Sequence, residues 1–134
     1  MAQKKKNGYL EAKRYVENAR EILSTKAGKD GEFYSDPKYV KMACKTAYSG
    51  VLVALDEVLH GKEKGKRADV IKYRTALGEK NKTMLSYFNS AYNLLHLVGG
   101  YDGELKVSVS QEGLSIAEKL IEWVGSTMGT AAQA

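Results

Sequence analysis

"SDPKYVKMACKTAYSGVLVALDEVLHG", Ser35 to Gly61, is the stretch whose reading decides the fold. Ser35 or Asp36 can cap the free N–H groups of a helix start. Pro37 then falls in the first turn, where its missing donor does no harm. No other proline occurs in the chain, so long uninterrupted helices are allowed. Val51, Leu52, Val53, Ala54, Leu55, Val58 and Leu59 cannot all face one way, which predicts a central helix ending near His60. Ala43, Ala47, Gly50 and Ala54 form a ridge of small residues on which a neighbouring helix can lie close.

Working outward, Tyr9, Ala12, Val16, Ala19 and Leu23 recur at steps of three and four, predicting a helix from Gly8 to Ala27 with Gly28 as its stop. Downstream, a helical region runs from Asp69 to Val98. Gly78 and the polar run "GEKNK" predict a bend in its middle. Its second half carries two stripes, Met84, Phe88, Tyr92, Leu95 and Tyr87, Ala91, Leu94, Val98. Gly99 and Gly100 fit the left-handed positions that close a helix. "ELKVSVS", Glu104 to Ser110, alternates as a short extended connection without a partner strand. A last helix starts near Ser108 to Ser110, where Ser108 and Gln111 have capping-box spacing, and its core stripe is Leu114, Ala117, Ile121, Val124 and Met128. These elements predict an all-α, antiparallel bundle of four to five helices. Residues 1–7 read as a basic disordered tail, 8–128 as a single helical-bundle domain, and 129–134 as a second disordered tail.

A chain of 134 residues hides roughly 68% of its unfolded surface, enough for a core without staples. Cys44 is the only cysteine, so no internal disulfide can form, and a reducing cytoplasm is the simplest setting. No stretch approaches the roughly 20 apolar residues of a membrane span, since Asp56 and Glu57 interrupt the richest one. The net charge is +5 and uneven: up to Arg67, 15 Lys and Arg face 9 Asp and Glu. The excess lies in Lys4 to Lys6 and in the loop Gly61 to Arg67, whose Lys62, Lys64, Lys66 and Arg67 form a candidate basic patch. Clustered cations permit phosphate contact, although short lysine runs more often stay solvated.

Catalytic and cofactor signatures are missing, so no cofactor is expected. Two histidines and one cysteine cannot build a zinc site without carboxylates, and neither HExxH nor CxxC occurs. Glu57 and His60 have the Glu-x-x-His spacing of a di-metal bundle, but there is no second copy and no metal is expected. Cys44 lies near Lys41 and Lys45, yet on a helix whose other face is apolar, and reads as a small buried hydrophobe. The densest polar constellation is "NSAYNLLHLVGGYDG", Asn89 to Gly103. Tyr92 and His96 share a face with Asn89 behind them, Asn93 flanks, and Tyr101 and Asp102 follow in a turn. Each residue has a structural explanation, and their convergence makes Tyr92, Asn93, His96, Tyr101 and Asp102 the candidate binding residues. Tyrosine is in excess, nine copies against two Phe, and its apolar body with a polar tip suits interfaces.

Four segments, "YLEAKRYVENAREIL", "DPKYVKMACKTAYSGVLVALDEVL", "YFNSAYNLLHLVGGYDG" and "EGLSIAEKLIEWV", together resemble a family of small bacterial proteins carried as a domain of unknown function. The likeness covers roughly Tyr9 to Val124 and implies a helical bundle without implying an activity. The helical layout also resembles the HEPN superfamily, which includes ribonucleases, toxin components and nucleotide-linked binding modules. HEPN ribonucleases place Arg four to six residues before a His on one helix. No Arg stands at those positions before His60 or His96, so the resemblance does not extend to that nuclease chemistry. The reading is therefore a non-catalytic bundle acting by self-association or by binding a protein partner. Its alternative is RNA or nucleotide binding through the lysine loop and the Tyr/His pocket.

Overall fold

The computed structural model describes residues 7–59 and 69–133, with only the backbone described over 129–133. Five α-helices dominate: α1 (Gly8–Thr25), α2 (Pro37–Leu59), α3 (Val70–Lys80), α4 (Lys82–Ala91) and α5 (Val107–Gln133). A π-helix, Tyr92–Gly99, continues α4. A two-residue hairpin, β1 (Lys29–Asp30) with β2 (Phe33–Tyr34), lies between α1 and α2. The all-α bundle expected from the sequence is the observed architecture.

Capping sets several helix ends. Asn7 accepts from the Leu10 N–H at 3.1 Å to begin α1. At the start of α2 the Asp36 carboxylate accepts from the Lys38 N–H at 2.9 Å, with Pro37 in the first turn as expected. Asp69 opens α3 by accepting from the Lys72 N–H at 3.0 Å. Asn81 does two jobs at once. Its extended backbone ends α3 with an N–H bond to the Leu77 carbonyl, while its side chain accepts from the Met84 N–H to start α4. The bend falls at Asn81, within the polar run that predicted it, and Gly78 stays helical.

Helix α2 is central. It touches α1, α3, α5 and the π-helix, and Val40, Ala43, Cys44, Ala47, Val51, Ala54 and Leu55 are all buried. The small-residue ridge packs on Ala12, Val16 and Ala19 of α1, which are equally buried. A Cβ at Gly50 would stand 2.8 Å from the Tyr15 Cβ and 3.1 Å from the Ala12 carbonyl oxygen. The absence of a side chain there sets the α1–α2 separation. Helix α5 closes the bundle against α1, α2, α4 and the π-helix through Leu114, Ala117, Leu120, Ile121 and Val124. Met128 is only partly buried beside this core.

Three local expectations are corrected. Leu105 and Lys106 do have a strand partner: Lys106 bridges Phe33, the Tyr34 N–H donates to the Leu105 carbonyl at 2.7 Å, and the Val107 N–H donates to Glu32 at 2.9 Å. Two-residue strands are too short to announce themselves by alternation. Helix α5 begins at Val107, so Ser108 lies inside it and no capping box forms. The Gln111 amide instead donates to the Tyr34 hydroxyl at 2.9 Å and accepts from Arg20 at 3.0 Å. Gly99 and Gly100 are not left-handed; Gly103, at φ 70°, takes that role. Gly99 is required by close approach, since a Cβ there would strike the Cys44 sulfur and stand 2.8 Å from the Leu94 carbonyl.

Candidate functional site

The Asn89–Gly103 stretch is wound more loosely than its spacing suggests. The Gly100 N–H donates to the Leu95 carbonyl at 2.8 Å and the Asp102 N–H to Leu97 at 2.9 Å, both five residues back. This is the π pattern, rare and frequently found at functional sites. A step of four residues keeps two side chains on one side of either winding, so Tyr92 and His96 share a face as expected, with ring centroids 5.0 Å apart.

Packing on both flanks holds the π-helix in place. Against α2, Gly99 meets Cys44, while Gly100 lies where its Cβ would be 3.1 Å from Cγ of Lys45. Gly103 lies similarly against Lys41, where a Cβ would stand 2.9 Å from its Cε. Against α5, Gly113 leaves room for Leu95, whose Cδ2 would be 2.6 Å from a Cβ there. The π-helix thus runs antiparallel to α2. This register brings Lys41 to Gly103, Lys45 to Gly100, and Tyr48 to His96.

Tyr48 completes an aromatic cluster that extends into the core. Its ring is 5.0 Å from His96, 6.1 Å from Tyr92 and 6.4 Å from Phe88, and Phe88 in turn is 5.9 Å from Tyr73. Arg74 of α3 lays its guanidinium 5.0 Å above the Tyr92 ring and donates from Nε to the Asn89 side-chain oxygen at 2.8 Å. Of the five candidate binding residues, Tyr92 and His96 are brought together. Asn93 is exposed, and Tyr101 and Asp102 lie in the exposed turn beyond the π-helix, joined to the cluster by no ring contact or side-chain hydrogen bond among the described residues. Arg74, absent from the sequence reading, could have been found only through the folding of α3 onto α4.

Of the nine tyrosines, three are buried, five are half-buried and one is exposed. Tyr34, Tyr48 and Tyr73 are buried. The Tyr73 hydroxyl donates to Asp56 at 2.6 Å and Tyr34 accepts from Gln111, so these polar tips have partners. Tyr101 alone among the described tyrosines is exposed, at 74%. Beside it Leu97 is 38% exposed, and Met42, one residue along α2 from Lys41, is exposed as well.

Two shallow grooves lie elsewhere. One, about 240 Å³, is bordered by Lys13, Val16, Glu17, Glu118, Ile121 and Glu122 between α1 and α5. Most of its charges are engaged, with Arg20 bound to both Glu118 oxygens at 2.9 and 3.0 Å and Lys13 3.9 Å from Glu122, while Glu17 makes no ion pair among the described residues. The other, about 250 Å³, lies between the hairpin and the start of α5. Neither includes Tyr92 or His96.

Cys44 is buried, and desolvation pushes its thiol up to about 12 despite the neighbouring lysines. The small-hydrophobe reading fits this environment. Among the described residues no group of three His, Cys, Asp or Glu could hold a metal ion. Glu57 accepts from the Gly8 N–H at 3.4 Å. His60 lies outside the described residues, as do Lys62, Lys64, Lys66 and Arg67. No helix among the described residues is long and apolar enough to cross a membrane.

Comparison with known proteins places these features in a family. The family described as "Domain of unknown function (DUF5618)" matches residues 7–126. A solved structure, a protein of unknown function from Dyadobacter fermentans, is 45% identical, with a TM-score of 0.83 over 90% of this chain and 95% of that one. No curated protein matches the sequence.

Proposed function

The chain belongs to the DUF5618 family, and we propose that it is a non-catalytic binding protein, acting by association with its own copies or a protein partner. The contact face is the outer edge of the α2–π-helix seam. One observation carries this reading: Tyr101, 74% exposed, stands on a turn fixed by backbone bonds from Tyr101 and Asp102 to Leu97 and from Gly103 to Gly99. A large amphipathic ring on a rigid support is the kind of residue that dominates protein interfaces. The working unit is the single domain of residues 8–128. The lone cysteine, Cys44, with no possible internal disulfide, is what supports a cytoplasmic setting. The proposed HEPN likeness concerns the fold and not the Arg-x4-6-His chemistry.

A second reading, RNA or nucleotide binding through the lysine-rich loop and the Tyr/His pocket, rests on Lys62, Lys64, Lys66 and Arg67, which lie outside the described residues, and on the Tyr92 and His96 cluster beside Arg74. The cluster itself argues against it. Tyr92 already meets a guanidinium and two rings, and Tyr48 is only 7% exposed, so little ring face is left for a base to stack on.

Size-exclusion chromatography with light scattering, recorded at two ultraviolet wavelengths, tests both. We expect a defined complex without nucleic-acid absorbance, and Tyr101→Ser should dissociate it without changing helicity. A particle carrying nucleic acid that moderate salt strips away would overturn the reading in favour of RNA. So would a complex indifferent to Tyr101→Ser.

A further inference from the structure

The charges around Tyr101 specify more than a generic contact. Lys41 and Lys45 lie along one edge of the seam, against Gly103 and Gly100. Asp102 and Glu104, both exposed, follow on the turn itself. Among the described residues none of Lys41, Lys45 and Asp102 enters an ion pair, and the Glu104 carboxylate accepts only from the Lys106 backbone N–H, at 3.2 Å. Two cations on the α2 edge and two anions on the adjoining turn thus lie along one seam, with no ion pair joining them among the described residues.

A surface of this kind is self-complementary. A two-fold axis through the patch reverses the order of its charges, so the cationic edge of one copy meets the acidic turn of the other. A partner of one sign would leave half of the charges unmatched, and a nucleic acid would be repelled by Asp102 and Glu104. We infer that the occupant of the Tyr101 face is a second copy of this chain, paired about a two-fold axis with Lys41 and Lys45 of each copy against Asp102 and Glu104 of the other. Tyr101 and Leu97 supply the apolar contact. This inference rests on the binding face proposed above.

Complementation tests it. Two full-length variants are made, Lys41→Glu with Lys45→Glu, and Asp102→Lys with Glu104→Lys. Circular dichroism confirms their folds, and Lys45→Glu and Asp102→Lys alone serve if the packing of Lys41 on Gly103 proves sensitive. Each variant alone should self-associate at least about tenfold more weakly than wild type, because like charges now face one another. Their equimolar mixture should recover a dimer, seen by native mass spectrometry as a heterodimer of the two masses. Wild-type protein that stays monomeric at high concentration overturns the inference, as does a mixture that fails to pair. Dimers lost in Tyr101→Ser but untouched by both charge reversals would overturn the two-fold pairing and leave the face intact. Dimers indifferent to all three changes would remove the face itself.

Discussion

The two flanks of α2 pack by different rules. On the α1 side, the buried small residues Ala43, Ala47, Gly50 and Ala54 face a helix whose buried positions are Ala12, Val16 and Ala19, with Tyr15 close over Gly50, and both helices keep regular α winding. On the π-helix side the same helix presents Cys44, Lys45 and Tyr48 to Gly99, Gly100 and His96, and the neighbour leaves α-helical winding to accommodate them. The first flank has one task, close packing. The second combines packing with an aromatic cluster, cations and the exposed turn at Tyr101. A flank with one requirement can satisfy it with regular helices, whereas a flank with several departs from regular geometry.

The sharpest way to break the regular flank is Gly50→Leu. A side chain there enters the space of Tyr15 and the Ala12 carbonyl, and overpacking should cost about 3 kcal/mol, measured by urea unfolding. On the other flank, Gly99→Ala should cost about 2 kcal/mol, since its methyl group meets both the Cys44 sulfur and the Leu94 carbonyl. Adding Cys44→Ala should return about half of that loss, the remainder belonging to the carbonyl, in a double-mutant cycle. Additive costs would mean that the two residues are not in contact.

Titration separates the flanks further. The Cys44 thiol ionises from 9.0 in its ordinary state and about 12 when folded. Stability from this group is therefore complete below pH 9 and falls as the pH rises toward 12, where the unfolded chain releases a proton the folded one keeps. Between pH 9 and 11, wild type should lose up to about 1.4 kcal/mol per pH unit more than Cys44→Ala in parallel urea titrations. Equal slopes would place water at the sulfur. The smallest change in stability belongs to Tyr101→Ser, within about 0.5 kcal/mol, since the ring is exposed. A larger loss by thermal unfolding would make Tyr101 a structural residue and end its use as a contact.

These flanks also differ in how far the sequence discloses them. The Ala-Gly ridge and the Ser35-Asp36-Pro37 start are local patterns with local physical causes, and both appear where expected. The break at Asn81 was foreshadowed by polarity, though not the double capping that makes it. The π winding left no trace, because Tyr92 and His96 at a step of four look alike in either helix. Gly99 and Gly100 suggest conformation, the usual role of paired glycines after a helix. Their actual role is proximity to Cys44 and Lys45, residues about 55 positions away, which no local pattern reports. Arg74 joined the cluster for the same reason. The polar density of Asn89–Gly103 groups residues that the fold divides between an inward stack at Tyr92 and His96 and an outward turn at Tyr101 and Asp102.

Near the beginning of α1, the Tyr9 ring fills the notch left by Gly125 on α5, and its hydroxyl reaches Glu122 at 3.1 Å across 113 positions of sequence. The α1–α2 pair, by contrast, joins segments adjacent along the chain. Loop closure costs least for the near pair and most for the far one. The clasp between first and last helices thus carries the largest closure cost of the two. A chain opened within the hairpin and rejoined near this clasp would keep every layer of the bundle while shortening its longest closure.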